Sequence, residues 1–383
     1  MEFEIDVCEN VDNRKDANNV IVLRNGEVSY NHFFHNMLQA NVPCIIRNVT
    51  ENWEASSKWV ENKVPNINYL EEKYGSLSVC VYNCSQRFFN SQKSNNDILK
   101  NYLNYWNKER NNKCLYLKDW HLKLQSKSDE FYKVPIYFGS DWLNEYYIKC
   151  ENDDYRFVYL GPKNSWTPFH ADVFTSYSWS ANVCGQKKWL ILPPGEENRL
   201  KDNFGNLPYD ISNMRDSINC MEVIQNPGEA IFIPSGWYHQ VWNLEDTISI
   251  NHNWFNGCNI LTVWESLNHN LSNVIKEIEH CKEMEDFENH CQVMLNALFG
   301  MDHKKFLEIL KFIALSRVDM LRNKALRVLF HGHIIGINHI LFDLKQIKFV
   351  LEQFLNCDLN FSSLFVEDNV EDILNKIYCS LES

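Results

Sequence analysis

Thr167-Pro168-Phe169-His170-Ala171-Asp172-Val173-Phe174-Thr175-Ser176-Tyr177-Ser178-Trp179-Ser180-Ala181-Asn182-Val183-Cys184-Gly185-Gln186-Lys187-Lys188-Trp189 is the stretch whose reading decides the fold. It holds His170-Ala171-Asp172, the only His-x-Asp or His-x-Glu of the sequence. Residues two apart on an extended strand point to one face. An imidazole and a carboxylate on one face supply two of the three ligands of a facial non-haem iron site. Lys187, in a Gly-x-Lys-x-Trp context, opens what reads as the next strand. A third ligand, and a reason for the lysine, must come from elsewhere in the chain.

Working outward, Tyr155 to Trp254 is a series of short β-type runs: 156–160, 176–183, 188–192, 230–234 and 247–253. They are separated by Pro193-Pro194-Gly195, Asn226-Pro227-Gly228 and Pro234-Ser235-Gly236. Several short strands with Pro/Gly turns predict an all-β sandwich or barrel. Within it, Phe232-Ile233-Pro234-Ser235-Gly236-Trp237-Tyr238-His239 reads as a strand, a tight turn and a histidine that begins another strand. In an antiparallel barrel His239 stands at the mouth, opposite the strand of His170, and completes a 2-His-1-carboxylate set with open metal positions. The other histidines are weaker candidates. His331-Gly332-His333 lies between helical segments without an acidic neighbour, and His269, His280, His290 and His303 are expected on solvated helix faces. His121, after a strand, stays open.

Upstream, residues 1–18 are polar and expected to fray. Residues 19–150 read as an α/β module supporting the barrel: a helix capped by Ser29, a buried strand at Pro43-Cys44-Ile45-Ile46, a strand at 79–82 and another at 115–120. The Asn/Lys/Ser-rich stretch 85–113 reads as a surface insertion with a partly docked helix. Residues 151–258 form the β core. From 259 to 383 amphipathic stripes (Trp264, Leu267, Leu271; Phe306, Ile309, Leu310; Ile347, Val350, Leu351) predict a helical region.

A net charge of −13 without a dense basic block argues against nucleic acid as the partner. No apolar run is long enough to span a membrane, and the N-terminus has no signal-peptide pattern. Thirteen cysteines, without paired spacing, read as buried or half-buried thiols of a reducing compartment. The expected location is cytoplasmic, with the nucleus also open.

His170-x-Asp172, Gly185-x-Lys187-x-Trp189, Pro234-x-Gly236-Trp237-x-His239-x-Val241-x-Asn243 and Ser249-Ile250 together resemble the JmjC (jumonji C) oxygenases. The resemblance runs from about residue 30 to 260. It implies a mainly β fold with helical additions, a double-stranded β-helix, and Fe(II), 2-oxoglutarate and dioxygen as cofactor and co-substrates. Iron would be held by His170, Asp172 and His239. Lys187 would pair with the distal carboxylate of 2-oxoglutarate, assisted by Thr167 and the Tyr116 phenol, with Asn251 at a further co-substrate position. One departure is Ser180, where relatives often carry Asn.

The wording around Phe157–Pro162 and Ser165–Asn182 resembles a branch that hydroxylates protein. It implies as partner a lysine of the eukaryotic translation termination release factor. A histone lysine demethylase and a catalytically silent β-barrel are the rival readings. The oligomeric state stays open, since the helical tail suits either a dimer interface or a lid.

Overall fold

The computed structural model describes residues 4–8, 20–108, 113–356 and 370–382. Eight strands set the architecture: β1 (Arg156–Gly161), β2 (Trp166–His170), β3 (Tyr177–Cys184), β4 (Lys187–Leu192), β5 (Met221–Gln225), β6 (Ala230–Ile233), β7 (Tyr238–Asn243) and β8 (Thr247–Trp254). Strands β6, β3, β8 and β1 lie side by side in a nine-stranded sheet, and β2, β7, β4 and β5 form a four-stranded sheet. The chain crosses between the sheets at every step except the β4–β5 hairpin, which is the connectivity of a double-stranded β-helix. Gly185 makes the tight β3–β4 link. Its φ of 76° is left-handed, and a Cβ there would overlap the Asp246 carbonyl.

Alternation fixes which side chains face inward. On β3 and β8, Tyr177, Trp179, Ala181, Val183, Ile248, Ile250 and Trp254 join the main apolar core outside the barrel. Their alternates, Ser178, Ser180 and Asn182 with Ser249, Asn251 and Asn253, therefore line the inside. On the other sheet Trp189, Ile191, Val223 and Val241, with Ile231 and Ile233 of β6, fill one half of the interior with apolar side chains. The barrel is dry on one side and lined with hydroxyls and amides on the other, an inside built for a polar ligand.

The N-terminal segment extends the same large sheet. Strands Ile21–Arg24 and Cys44–Arg47 continue it beyond β6, and Leu115–Trp120, Ser78–Phe88 and Ser91–Ile98 continue it beyond β1. Ser29 caps its helix as expected, accepting from the His32 amide. Two expectations change. Glu4–Ile5, within the stretch expected to fray, pairs in parallel with Ile334–Ile335, and Ile5 is buried; residues 9–18 lie outside the described residues.

The supposed surface insertion is a long hairpin, 78–88 with 91–98, followed by helix Leu99–Lys108 with Leu99, Tyr102, Leu103 and Trp106 buried. Ladder pairing with the 78–88 strand, itself paired with 115–117, overrides the poor β propensity of the Asn/Ser/Lys residues in 91–98. Residues 109–112 of that expectation lie outside the described residues.

After β8 come helices α1 (Ile260–Glu277), α2 (Phe287–Phe299), α3 (His303–Arg322), α4 (Ile337–Leu355) and α5 (Val370–Leu381). Their apolar stripes pack on one another and on the helix Trp142–Tyr146, which lies against β8. Among the described residues no helix is long and apolar enough to cross a membrane.

Candidate active site

His170 and His239 are cross-strand partners on β2 and β7, with ring centroids 4.3 Å apart. A register shift between Thr167 and His170 lets both face inward although they are three residues apart, opposite Val241 and His239. Asp172 follows in extended conformation, and its Oδ2 accepts a 2.6 Å hydrogen bond from the Ser178 hydroxyl of the facing sheet. One ligand atom from each of His170, Asp172 and His239 lies within 4.8 Å of the other two.

The tautomers follow from the partners. His170 Nδ1 meets the Pro168 carbonyl at 2.8 Å and His239 Nδ1 the Trp237 carbonyl at 3.1 Å. A carbonyl only accepts, so each Nδ1 carries the proton and each Nε2 keeps a free lone pair. Burial, followed by the neighbouring His239, pushes His170 down to about 4 and holds it neutral. Two imidazoles that turn their Nε2 atoms inward and a carboxylate converging on one point fit a divalent transition metal.

Lys187 pairs in register with Asn243, four residues along β7 from His239. That is about 13 Å of strand, room for an elongated ligand. The lysine is 1% exposed, and its Nζ crosses the barrel to donate to Ser249 Oγ at 2.6 Å. It lies 5.8 Å from the centroid of the Tyr159 ring. Among the described residues no carboxylate pairs with it, and burial brings it down to about 7. A buried ammonium with only a hydroxyl for company is costly without an anion. A diacid that binds the metal with one end and the lysine with the other fits this interior.

The remaining expected residues gather around this axis. Tyr116 is buried beside the Asn243 amide at the lysine end. Gly161 makes room there: a Cβ would overlap Asn243, Ser165 and Tyr116. Asn243 donates to Ser165 Oγ at 2.8 Å, while its Oδ1 is buried without a partner. Asn251 pairs with Ser180 in register and accepts a 3.0 Å hydrogen bond from the Ser180 hydroxyl. Ser180 therefore holds Asn251 at the inner wall.

A model of the cupin-like domain matches residues 30–259. The chain is 44% identical over 358 residues to a 2-oxoglutarate and iron-dependent oxygenase JMJD4 of Danio rerio, covering 86% of this chain and 85% of that protein. It is 40% identical over 346 residues to the protein of the same name in Homo sapiens, covering 85% and 82%. An arginine-specific demethylase JMJ20 of Arabidopsis thaliana is 40% identical over 325 residues, covering 78% and 70%. The chain belongs to the JmjC family of cupin-like oxygenases.

In this JmjC chain several of the other histidines have structural partners, while His269, His280 and His290 are exposed in the helical tail as expected. His121 Nδ1 sits 2.8 Å from Asp154 and 3.6 Å from Asp153, a second cluster with metal-like spacing. Arg156 also contacts Asp154, at 2.8 Å, so the cluster is an ion-pair network that already carries its own cation. His331 and His333 meet the carbonyls of Gly139 and Val134 at 2.6 and 2.8 Å and clamp that loop. His303, expected on a solvated helix face, is fully buried between Gln292 and Asn268, because its helix is covered by α1 and α2.

Sequence reading missed Ser178 and Tyr159. For Ser178 the polar-in, apolar-out period of the 176–183 run was the available signal; for Tyr159 it was the alternation with the buried Val158 and Leu160 on β1.

Proposed function

We propose that this JmjC oxygenase is a protein hydroxylase whose substrate is a lysine of the eukaryotic translation termination release factor. Its oxygenase class and its use of iron and 2-oxoglutarate follow from the family. The lysine substrate, the cytoplasmic location and the link to translation termination are our reading, supported by extensive similarity to the JMJD4 oxygenases over both the barrel and the helical tail. The observation that carries the catalytic part is the buried, anion-free Lys187 set along one axis from the His170/Asp172/His239 cluster. A silent barrel has no use for that charge.

In this reading His170, Asp172 and His239 hold the metal through the two Nε2 lone pairs and one carboxylate oxygen. Ser178 orients Asp172, and the Pro168 and Trp237 carbonyls lock the imidazoles. Lys187 receives the distal carboxylate of 2-oxoglutarate, with Ser249 fixing its ammonium and Thr167, Tyr116 and Asn251 lining the co-substrate. Bound iron and 2-oxoglutarate supply dioxygen activation coupled to decarboxylation of the keto acid. The apolar half of the barrel excludes water from that end.

A lysine demethylase or arginine demethylase is the second reading, favoured by similarity to proteins of those names. Mass spectrometry of the release factor after incubation with the enzyme, iron, ascorbate and 2-oxoglutarate decides between them. A lysine heavier by one oxygen atom supports hydroxylation. An unmodified release factor together with methyl loss from a methylated histone tail overturns it.

A further inference from the structure

The Leu115–Trp120 strand beside β1 contains a bulge. Leu117 pairs with Leu160 and Trp120 with Val158, so Lys118 and Asp119 together stand opposite Tyr159. Asp119 takes a left-handed φ of 55°, which Asp tolerates better than most residues. Bulges beside binding sites commonly re-aim a side chain.

Here the re-aimed carboxylate is gripped by two phenols. Tyr82 donates to Oδ2 at 2.9 Å and Tyr159 to Oδ1 at 2.6 Å. Tyr159 is the inner-wall residue whose ring lies beside Lys187, and its phenol feels the charges of both Asp119 and Asp172. The strand runs antiparallel to β1, so Tyr116 falls at the lysine end, beside Gly161. Asp119 falls further along, opposite Tyr159, whose phenol also feels Asp172 of the metal cluster.

Asp119 is only half-buried, and among the described residues no basic side chain comes within ion-pair distance of it. The nearest cation, Lys118, is buried and committed elsewhere. It donates to Gln92 Oε1 at 3.0 Å and lies over the Tyr82 ring at 4.4 Å. This half-buried carboxylate is held by two hydroxyls beside aromatic faces and feels Lys118 through its charge but not through contact, so its exposed side is left for a second cation.

We propose that Asp119 is the counter-charge for a cationic side chain of the substrate, a lysine or arginine that enters past the metal ligands, with Tyr82 and Tyr159 holding the carboxylate in place. The proposal rests on the reading of the chain as an oxygenase of protein side chains, and it adds the requirement that the incoming side chain be positively charged.

The test uses the full chain with 2-oxoglutarate and Mn(II) in place of iron. Peptides covering each lysine of the release factor, and histone-tail peptides, are compared with their acetyl-lysine versions by fluorescence anisotropy. For the peptide that binds, acetylation is expected to weaken binding about tenfold or more. Asp119→Asn should reduce that discrimination to within about twofold, and Asp119→Glu should restore part of it. The thermal shift given by 2-oxoglutarate reports that each variant is folded.

Equal affinity for free and acetylated peptides in the wild type, absence of any binding included, overturns the proposal. So does undiminished discrimination in a folded Asp119→Asn. Asp119-dependent binding of a histone peptide alone upholds this proposal and overturns the release-factor reading.

Discussion

Burial makes the Lys187 ammonium costly until something anionic sits before it. Replacing it with Met removes a buried charge that has no protein anion beside it, so the ligand-free protein should melt at the wild-type temperature or above. The same variant should bind 2-oxoglutarate at least about a hundredfold more weakly, the cost of losing a buried ion pair. A calorimetric scan and a binding titration read the two effects separately.

The pH dependence follows from burial. Below about 7 the free lysine is protonated and ready for a dicarboxylate; above it the lysine is neutral and must take up a proton on binding. Affinity for 2-oxoglutarate should therefore fall as pH rises from 7 to 9, with proton uptake measurable in buffers of different ionisation enthalpy. The surrounding Tyr116 and Tyr159 phenols, pushed up by burial, stay neutral throughout that range. Affinity that stays constant over those two units means that another cation holds the co-substrate. At this scale the sequence was informative where chemistry is rare: one His-x-Asp, one lysine at a strand start, one histidine after a Pro-Ser-Gly turn. It was silent on Ser178, Ser249 and Tyr159, whose residue types are common and whose roles come only from the residues opposite them.

Among the elements, β1 and β7 meet at the tightest point of the site. Gly161→Ala drives a methyl group into Asn243, Ser165 and Tyr116. Overpacking of this kind costs about 1–3 kcal/mol. The clash falls at the lysine end, so the variant should lose affinity for 2-oxoglutarate while metal affinity changes less than about threefold, as separate titrations would read. Metal loss of equal size means that the two ends of the barrel are not independent. Most barrel strands were legible because their hydrophobic alternation is strong and their turns carry Pro and Gly; β5, with Val223 as its one buried apolar residue, was not. Of the hairpin 78–98 only 79–82 was legible, because the polar residues of 91–98 owe their strand form to pairing with the other arm, which their own propensity does not record. The buried His303 was hidden for the same reason: a helix face is solvated or covered according to what packs on it.

For the whole molecule, the helical tail is tied to the N-terminal module by charge as well as by apolar contact. Arg317 of α3 is fully buried and donates to Glu145 at 2.8 and 2.9 Å and to Asp343 of α4 at 2.8 Å. Trp142 donates to the same Asp343 at 3.3 Å, and His339 links that carboxylate to the Tyr30 hydroxyl. Arg317→Met leaves two buried carboxylates without their cation and should cost about 3–5 kcal/mol, seen as a lower denaturant midpoint. If the tail is a separable addition, the tail transition will split from that of the barrel. If it is part of one cooperative unit, as the shared core and this network indicate, a single transition moves.

The site itself draws on both sheets, and its defining property is the joint demand for a metal at His170/Asp172/His239 and an anion at Lys187. Anaerobic titration with Fe(II) and 2-oxoglutarate, followed by the visible charge-transfer band of a chelated keto acid, measures both at once. The wild type should develop the band only when both are present. Asp172→Ala should abolish it, and Lys187→Met should shift it to far higher 2-oxoglutarate. A folded wild type without the band, or an undiminished band in Asp172→Ala, contradicts the account.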